Sequence, residues 1–292
     1  MTLRDMALAA LTSVLWGLAF VATKLGLESF TAPQLTFLRF MLACLPVLFL
    51  PRPQIPWPTL ILIGLTLFTG QFLLLFFAFE HGMPPGLASV TQQLHAFFTV
   101  ILSAIFLADL PTRRQVAGMA IAFSGLALIG AGIGGDLTAL GLGLAVSAAV
   151  SWAIGNVLVK SVGRTAMPPL MAWAALVPPL PSLLISALNG DPSLPAAIEG
   201  ASWRGLGGAL YLGLVATVIA YSIWGRLLAK YPSATVVPFA LLSPCVGIVS
   251  SMLVFGETFT AARAGGMALI LAGIAVVVLP LKRPAFLGNA GR

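Results

Sequence analysis

A few polar side chains interrupt long apolar runs of this sequence, where an unpaired polar group would be costly in the absence of water. They are Gln71, Gln92, His95, Asn156, Tyr221 and Ser243. Gln92 and His95 are three residues apart, so on a helix they share a face and could together hydrogen-bond an amino or carboxylate group. The alternative is that such side chains only join neighbouring helices. The pattern predicts either a polar binding site or polar contacts between helices.

Aromatic residues accompany these polar groups. Those that lie within apolar runs are Trp16, Trp152, Tyr221 and Trp224. Their ring faces offer a surface on which an aromatic or cationic substrate could stack. Trp16 and Trp152 precede Lys24 and Lys160 by eight residues, which is about 12 Å along a helix. Each lysine either extends to a membrane surface or faces a vestibule, where it would attract a carboxylate.

Two further pairs could carry protons or bend a helix. Glu80 and His81 close an apolar run, and an acid or imidazole exposed alternately to the two sides could carry protons. A solvated helix end is the simpler interpretation of that pair. Ser243 precedes Pro244, which frees a backbone carbonyl within its helix. That carbonyl could line the site or mark a hinge.

Composition defines the elements that must position these residues. Hydrophobic residues make up 59% of the chain, charged residues 8%, and the mean hydropathy is +1.05. These values indicate an all-α integral membrane protein with the lipid bilayer as its solvent. The net charge of +7 is placed mainly between apolar runs, which favours membrane topology over nucleic-acid binding. Cys44 and Cys245 each lie within an apolar run and predict neither a disulfide nor a metal site.

Ten apolar runs are long enough, or nearly so, to cross a bilayer. They lie at 6–26, 33–50, 59–80, 86–107, 114–133, 137–159, 168–188, 205–228, 233–255 and 262–281. The seventh contains Pro178, Pro179 and Pro181, which predict a kink or a break. The first run is too long for a signal peptide and is read as an uncleaved span.

The basic residues set the expected orientation. With a cytoplasmic N-terminus, eleven of the fifteen fall in inner segments. The remaining four, at the outer side or at outer helix ends, are Lys24, Arg39, Arg204 and Arg263. This asymmetry predicts that both termini, including the tail 282–292, are cytoplasmic.

The sequence also repeats itself. "VLWGLAFVATK" at 14–24 returns as "VSWAIGNVLVK" at 150–160, an offset of 136, and Phe20 of the first copy is Asn156 in the second. Further along, Pro84, Asp109 and Thr112 return as Pro232, Glu257 and Thr260, at an offset of 148. The matches predict two five-helix repeats, 1–133 and 137–281. Because five is odd, the second repeat enters the membrane from the opposite side, and a site is expected between the halves.

The end of each repeat carries a family resemblance. The second copy reads "LLSPCVGIVSSMLVFGETFTAARAGGMALILAGI" at 241–274, and the first reads "QLHAFFTVILSAIFLADLPTRRQVAGMAIAFSGL" at 93–126. The chain resembles the ten-helix, EamA-type members of the drug/metabolite transporter superfamily, and among them the aromatic amino-acid exporters. In the first copy His95-Ala96 and Ala108-Asp109 stand where the motif has Ser-Pro and Gly-Glu. The resemblance implies that spans 1, 3, 4, 6, 8 and 9 surround a central cavity.

The expected function is secondary transport by alternating access across a bacterial inner membrane. The resemblance favours export of small metabolites, most of all aromatic or other apolar amino acids, by a monomer, with protons as a candidate coupling ion. Export or import of drugs or other metabolites is the alternative. An integral-membrane enzyme or a receptor is disfavoured, because the sequence holds no catalytic constellation, no P-loop and no soluble domain. No cofactor and no metal are expected.

Overall fold

The computed structural model describes residues 1–163 and 165–279. The predicted cytoplasmic tail 282–292, and the inner charges expected at Arg164 and within that tail, lie outside the described residues. Apart from one isolated bridge between Gly134 and Leu137, the described ranges contain helices and loops. The prediction of an all-helical membrane protein is therefore confirmed.

Nine helices of the described ranges are long and apolar enough to span a bilayer, and a tenth apolar helix is shorter. In chain order they are α1 (Leu3–Gly26), α2 (Ala32–Leu48), α3 (Trp57–Glu80), α4 (Pro85–Leu107), α5 (Arg113–Ala131), α6 (Ala139–Ser161), α7 (Met167–Leu188), α8 (Trp203–Lys230), α9 (Val237–Phe255) and α10 (Ala261–Val278). Each coincides with one predicted run, and the short one is α2. A further short helix, Leu194–Glu199, lies in the loop before α8.

Several of these helices are irregular. α7 consists of Met167–Ala174 and Pro179–Leu188, so the predicted break is present where Pro178 precedes a second proline. Wide, π-helical turns occupy Gly64–Gly70 in α3 and Tyr211–Ile219 in α8. Such turns are rare in soluble proteins and recur at functional sites.

Helix ends follow local rules that recur at the sequence offset of 148. Ala108 and Gly256 both adopt left-handed backbone angles, with φ of 53° and 66°, and so end α4 and α9. Thr112 and Thr260 then begin α5 and α10, where each hydroxyl accepts a hydrogen bond from the backbone three residues on.

The main apolar core draws buried side chains from α1 to α8 and from α10, and α3 contributes the most. Its largest fully buried side chains include Phe40, Phe76, Phe79 and Phe97. Without water in a bilayer, this close packing and interhelical polar contacts hold the helices together.

α5 and α10 approach each other through glycines. A Cβ on Gly118 would lie 2.7 Å from the carbonyl oxygen of Gly273, and a Cβ on Gly125 would lie 2.6 Å from that of Gly266. Since Gly118 and Gly266, and likewise Gly125 and Gly273, are 148 residues apart, the same contact occurs twice with the roles of the two helices exchanged.

Polar contacts mark one end of the bundle, called here the Lys24 end. The Glu80 Oε1 atom accepts a hydrogen bond of 2.7 Å from the Ala32 N–H, which joins the end of α3 to the start of α2. Gly86 N–H at the start of α4 donates to Glu257 Oε2, at 3.1 Å, after the end of α9. Lys24, near the end of α1, belongs to the same end.

The opposite end is called the Lys160 end. There Asp5, at the start of α1, accepts hydrogen bonds from Lys230 Nζ at 2.8 Å and from the Tyr231 hydroxyl at 2.6 Å. Lys160, in the last turn of α6, forms an ion pair with Asp109 beyond the end of α4. Both contacts tie together helices that are distant in sequence.

Candidate functional site

Three of the predicted site residues form one aromatic cluster. The ring of Trp16 on α1 lies 5.2 Å from that of Tyr221 and 5.1 Å from that of Trp224, both on α8. Its Nε1–H donates a 3.0 Å hydrogen bond to the carbonyl oxygen of Ala216, which lies within the wide turn of α8. The cluster therefore fixes α1 against the irregular part of α8.

Two other predicted residues stack on each other. The rings of His95 on α4 and Trp152 on α6 are nearly parallel, with centroids 3.7 Å apart and planes at 8°. Nδ1 of His95 lies 2.8 Å from the carbonyl oxygen of Gln92. Because a carbonyl oxygen only accepts, Nδ1 carries a proton there, and in a neutral ring Nε2 would be the acceptor.

Gln92 takes a partner of its own. Its Nε2 donates a 2.8 Å hydrogen bond to the Ala145 carbonyl oxygen on α6, while its buried Oε1 has no hydrogen-bond partner among the described residues. The Gln92 amide thus joins α4 to α6, which agrees with the alternative interpretation. Its Oε1 atom remains as an acceptor without a partner there. Residues 92–94 form a 3₁₀ turn, so Gln92 and His95 are not related as on a regular α-helix.

A line of polar residues continues from the His95–Trp152 stack towards the Lys160 end. Asn156 Nδ2, one turn beyond Trp152, donates to Thr99 Oγ1 at 3.2 Å, one turn beyond His95. Ser103 follows one further turn along α4 and borders a cavity of about 140 Å³ that the Lys160–Asp109 pair also lines. Thr99 and Ser103 were not predicted, although their four-residue spacing from His95 is visible in the sequence.

The remaining predicted substrate residues are more isolated. Gln71 on α3 is 5% exposed, and its side chain makes no hydrogen bond to the described residues. The Ser243 carbonyl oxygen would lie 2.6 Å from a Cβ on Gly17, which places α9 in close contact with α1. Pro244 is buried, and its own carbonyl oxygen accepts a 3.3 Å hydrogen bond from Ser89 on α4.

Glu80 and His81 lie at the Lys24 end, as expected for the end of their span. Glu80 binds the first turn of α2 and lines a cavity of about 360 Å³ with residues of the loop before α8. His81 is exposed, and its Nδ1 lies 2.8 Å from the Phe77 carbonyl oxygen. Both residues therefore act as helix-end contacts here, and their part in coupling stays a prediction.

The two predicted lysines differ in their contacts. Lys160 pairs with Asp109, whereas the equivalent Lys24 and Glu257 interact electrostatically but form no ion pair within the described ranges. Instead Glu257 accepts from Gly86, and its Oε1 is buried without a hydrogen-bond partner there. Matching charges at the two ends are thus bound differently.

Glu257 predicts a measurable pH effect. Burial raises the pKa of its carboxyl above the ordinary value of 4.5, against the opposing hydrogen bonds from Ser251 and from the backbone of Gly86. A carboxyl with a higher pKa in the folded than in the unfolded state binds its proton more tightly when folded. Stability should therefore increase as the pH falls through the raised pKa towards 4.5.

The test compares melting temperatures of the wild type and Glu257→Gln from neutral pH downwards. The wild type should gain relative to the variant as the pH falls. Glu199→Gln, at an exposed position, is the control and should follow the wild type. A wild-type advantage that shrinks with falling pH would contradict the prediction.

Arg39 is buried to an extent that the charge count did not predict. The charge count put it with the outer side and outer helix ends, but it lies within α2, seven residues beyond Ala32, and is 5% exposed. Its Cζ lies 3.8 Å from the centre of the Phe72 ring on α3. A lone arginine inside an apolar run was the available signal.

Within the described ranges, no group of three or more His, Cys, Asp or Glu residues could hold a metal ion.

The sequence was compared with protein families and with known proteins. The sequence pattern of the EamA-like transporter family matches residues 4–131 and 139–279. A protein of Salmonella typhimurium named "probable amino-acid metabolite efflux pump" is 41% identical, over 95% of this chain and 96% of its own length. A protein of the same name from Escherichia coli K12 is 38% identical, over 97% of each chain.

A solved structure agrees in fold. A crystal structure with 22% sequence identity matches 94% of this chain and 96% of its own, with a TM-score of 0.61.

Proposed function

Because this chain belongs to the EamA-like transporter family, we propose that it exports small amino-acid metabolites by alternating access. The similarity to the efflux pump of Salmonella typhimurium, which covers nearly the whole of both chains, is the observation that carries the proposal. The chain is a multi-pass membrane transporter, and the enzyme and receptor alternatives are set aside by its family. Bacterial inner-membrane location, cytoplasmic termini and function as a monomer complete the proposal.

Two inverted repeats, 1–133 and 137–281, provide the mechanism. The family pattern matches two segments that nearly coincide with them. Reciprocal contacts support the inversion: Gly118 meets Gly273 and Gly125 meets Gly266, as a two-fold axis between α5 and α10 requires. Inverted repeats allow the halves to exchange their packing, so that a site between them opens to each side in turn.

The site is proposed between α1, α3, α4, α6 and α8. The Trp16 cluster and the stack of His95 on Trp152 supply two aromatic surfaces there, and Gln92 supplies a free acceptor. An amino group could bind that acceptor, while an apolar or aromatic side chain lies against the rings. These features support amino-acid metabolites with apolar side chains as the substrate class.

Reconstitution tests the function. Purified protein in liposomes loaded with labelled amino acids should release at least one apolar amino acid faster than protein-free liposomes do. Absence of release for every amino acid and amino-acid metabolite tried would refute the substrate class. The same assay with an imposed pH gradient tests proton coupling, which is refuted if the gradient leaves the flux unchanged.

Trp16→Ala tests the place of the site. Loss of the ring that contacts both Tyr221 and Trp224 should slow release by up to about tenfold, if aromatic contacts of about 1 kcal/mol act on the transported molecule. Trp57→Ala is the matched control, since Trp57 is half-exposed and contacts Trp173 at a ring distance of 6.1 Å, away from the proposed site. Equal loss in both variants would remove the support for a site at Trp16.

A further inference from the structure

We propose that Arg39 binds the carboxylate group of the substrate. This inference rests on amino-acid export as the function and specifies how the substrate is recognised. Arg39 lies about 10 Å along α2 from its first residue, Ala32, which is well inside a hydrocarbon layer of about 30 Å. With 5% of its surface exposed, the side chain does not extend to the membrane surface.

The guanidinium lacks the partners that a buried charge requires. Its Nε is buried without a hydrogen-bond partner, and none of its three nitrogens donates to a described residue. No carboxylate of the described ranges lies within ion-pair distance. Among the described residues, the groups that attract the charge at short range are two aromatic rings, whose centres lie 3.8 Å (Phe72) and 5.8 Å (Phe40) from its Cζ. A ring attracts the cation but leaves its N–H donors in need of acceptors.

A second buried arginine shows how this fold satisfies a structural guanidinium. Arg263, which is 4% exposed, donates from Nε to the Gly132 carbonyl oxygen at 3.2 Å. Its other two nitrogens reach the Gly134 carbonyl oxygen and Asp136. All three nitrogens of Arg263 are bound, whereas Arg39, equally buried, has none of these partners. A purely structural role would leave the donors of Arg39 unexplained.

The chemistry of the missing partner follows from the donors. A guanidinium presents a planar fork of N–H groups that a carboxylate accepts through two parallel hydrogen bonds. A substrate carboxylate would supply both the opposite charge and the acceptors. The Phe40 ring lies 5.1 Å from that of Phe68 and 5.4 Å from that of Phe72, and the three rings form an apolar surface beside the charge.

Arg39 also lies beside the helix that carries part of the aromatic cluster. A Cβ on Gly213, within the wide turn of α8, would lie 3.1 Å from the Arg39 carbonyl oxygen. Tyr221, further along α8, contacts the ring of Trp16. A molecule with a carboxylate at Arg39 and an apolar part against Trp16 would contact α1, α2, α3 and α8 together. A free amino acid has this combination of groups.

The repeat supplies an independent argument. The position 136 residues after Arg39 is Ala175, so the guanidinium occurs in only one half. Residues that only shape the helices recur at the repeat offsets, as the helix-starting Thr112 does at Thr260. A residue that binds an asymmetric substrate has no reason to recur.

The test measures equilibrium binding of an apolar amino acid, and of the same amino acid with its carboxylate converted to an amide, to protein in lipid nanodiscs. The wild type should prefer the acid by at least about tenfold, as charge-assisted hydrogen bonds imply. Arg39→Gln should bring the ratio to within about twofold. Arg39→Lys keeps a charge but not the fork, so it should weaken binding of the acid while leaving the amide unchanged.

Arg52→Gln is the matched control. Arg52 also lies over a ring, with its Cζ 4.0 Å from the centre of Trp57, but it is exposed near a helix start, and its variant should retain the wild-type ratio. If the wild type binds amino acids and Arg39→Gln keeps the preference, only the role of Arg39 is refuted. If Arg39→Gln does not fold, an equal loss for acid and amide in Arg39→Lys refutes it. If the wild type binds and exports no amino acid, the proposed function fails as well.

Discussion

Replacing Gly125 with leucine is expected to lower the free energy of unfolding by about 3 kcal/mol or more, at the upper end of what overpacking costs. A Cβ at this position would lie 2.6 Å from the carbonyl oxygen of Gly266 and 3.0 Å from the backbone nitrogen of Ile270. Backbone atoms cannot rotate away as a flexible side chain can. α10 would have to separate from α5 along most of their shared length.

Gly130→Leu is the control on the same helix, because a Cβ there meets nothing within 4 Å. Both variants would be compared with the wild type by thermal unfolding in detergent and by the fraction of protein in a single gel-filtration peak. Gly125→Leu should lose most of the folded peak and Gly130→Leu should keep it. Equal stability of the two variants would show that the α5–α10 crossing does not hold the bundle together.

Replacing Arg263 with methionine is expected to cost about 2 kcal/mol of stability. Loss of one member of a buried ion pair can cost about 3–5 kcal/mol. Asp136 is 54% exposed, so water can hydrate its carboxylate in the variant and the cost is smaller. The Gly132 carbonyl oxygen would lose its donor from Arg263 as well, and the Gly134 carbonyl oxygen would keep only the Leu137 N–H. The loop between α5 and α6 would then be released from the start of α10.

The matched control is Arg204→Met. Arg204 lies 3.7 Å from Glu28, both side chains are largely exposed, and such pairs contribute at most about 1 kcal/mol. Thermal unfolding and proteolysis between residues 132 and 138 would measure the two effects. Stable protein with an uncut loop in Arg263→Met would contradict this account of the loop.

Much of the fold was predictable because a bilayer permits few solutions. Backbone groups without water must bond within a helix, so apolar runs of about 20 residues directly predict spans. Pro178 and its neighbours predicted the break in α7 for an equally local reason. The offset of 148 predicted that the chain around Ala108 and Gly256 would be alike, and both residues adopt the left-handed backbone that ends a helix.

The site was less predictable because its contacts are made across helices. Gln92 donates to the backbone of Ala145, and a backbone carbonyl has no signature in a sequence. Arg39 was counted with the outer side and outer helix ends, and the count could not predict that the side chain is buried against Phe72. The aromatic residues were predicted as one class of surface, but only the structure separates the cluster of Trp16 from the stack of Trp152.

Each of the wide turns of α3 and α8 contains one residue more than an α-helical turn would. Conversion of such a turn to α-helical geometry would rotate all that follows by about 100° and advance it by about 1.5 Å. Gln71 and Phe72 directly follow the wide turn of α3, and Tyr221 and Trp224 follow that of α8. Such a conversion would rotate these side chains about the helix axis. The backbone hydrogen bonds of the wide turn would be replaced by α-helical ones, so none would be lost. A substrate could then be released by rotation of the side chains that contact it, without movement of the whole helix.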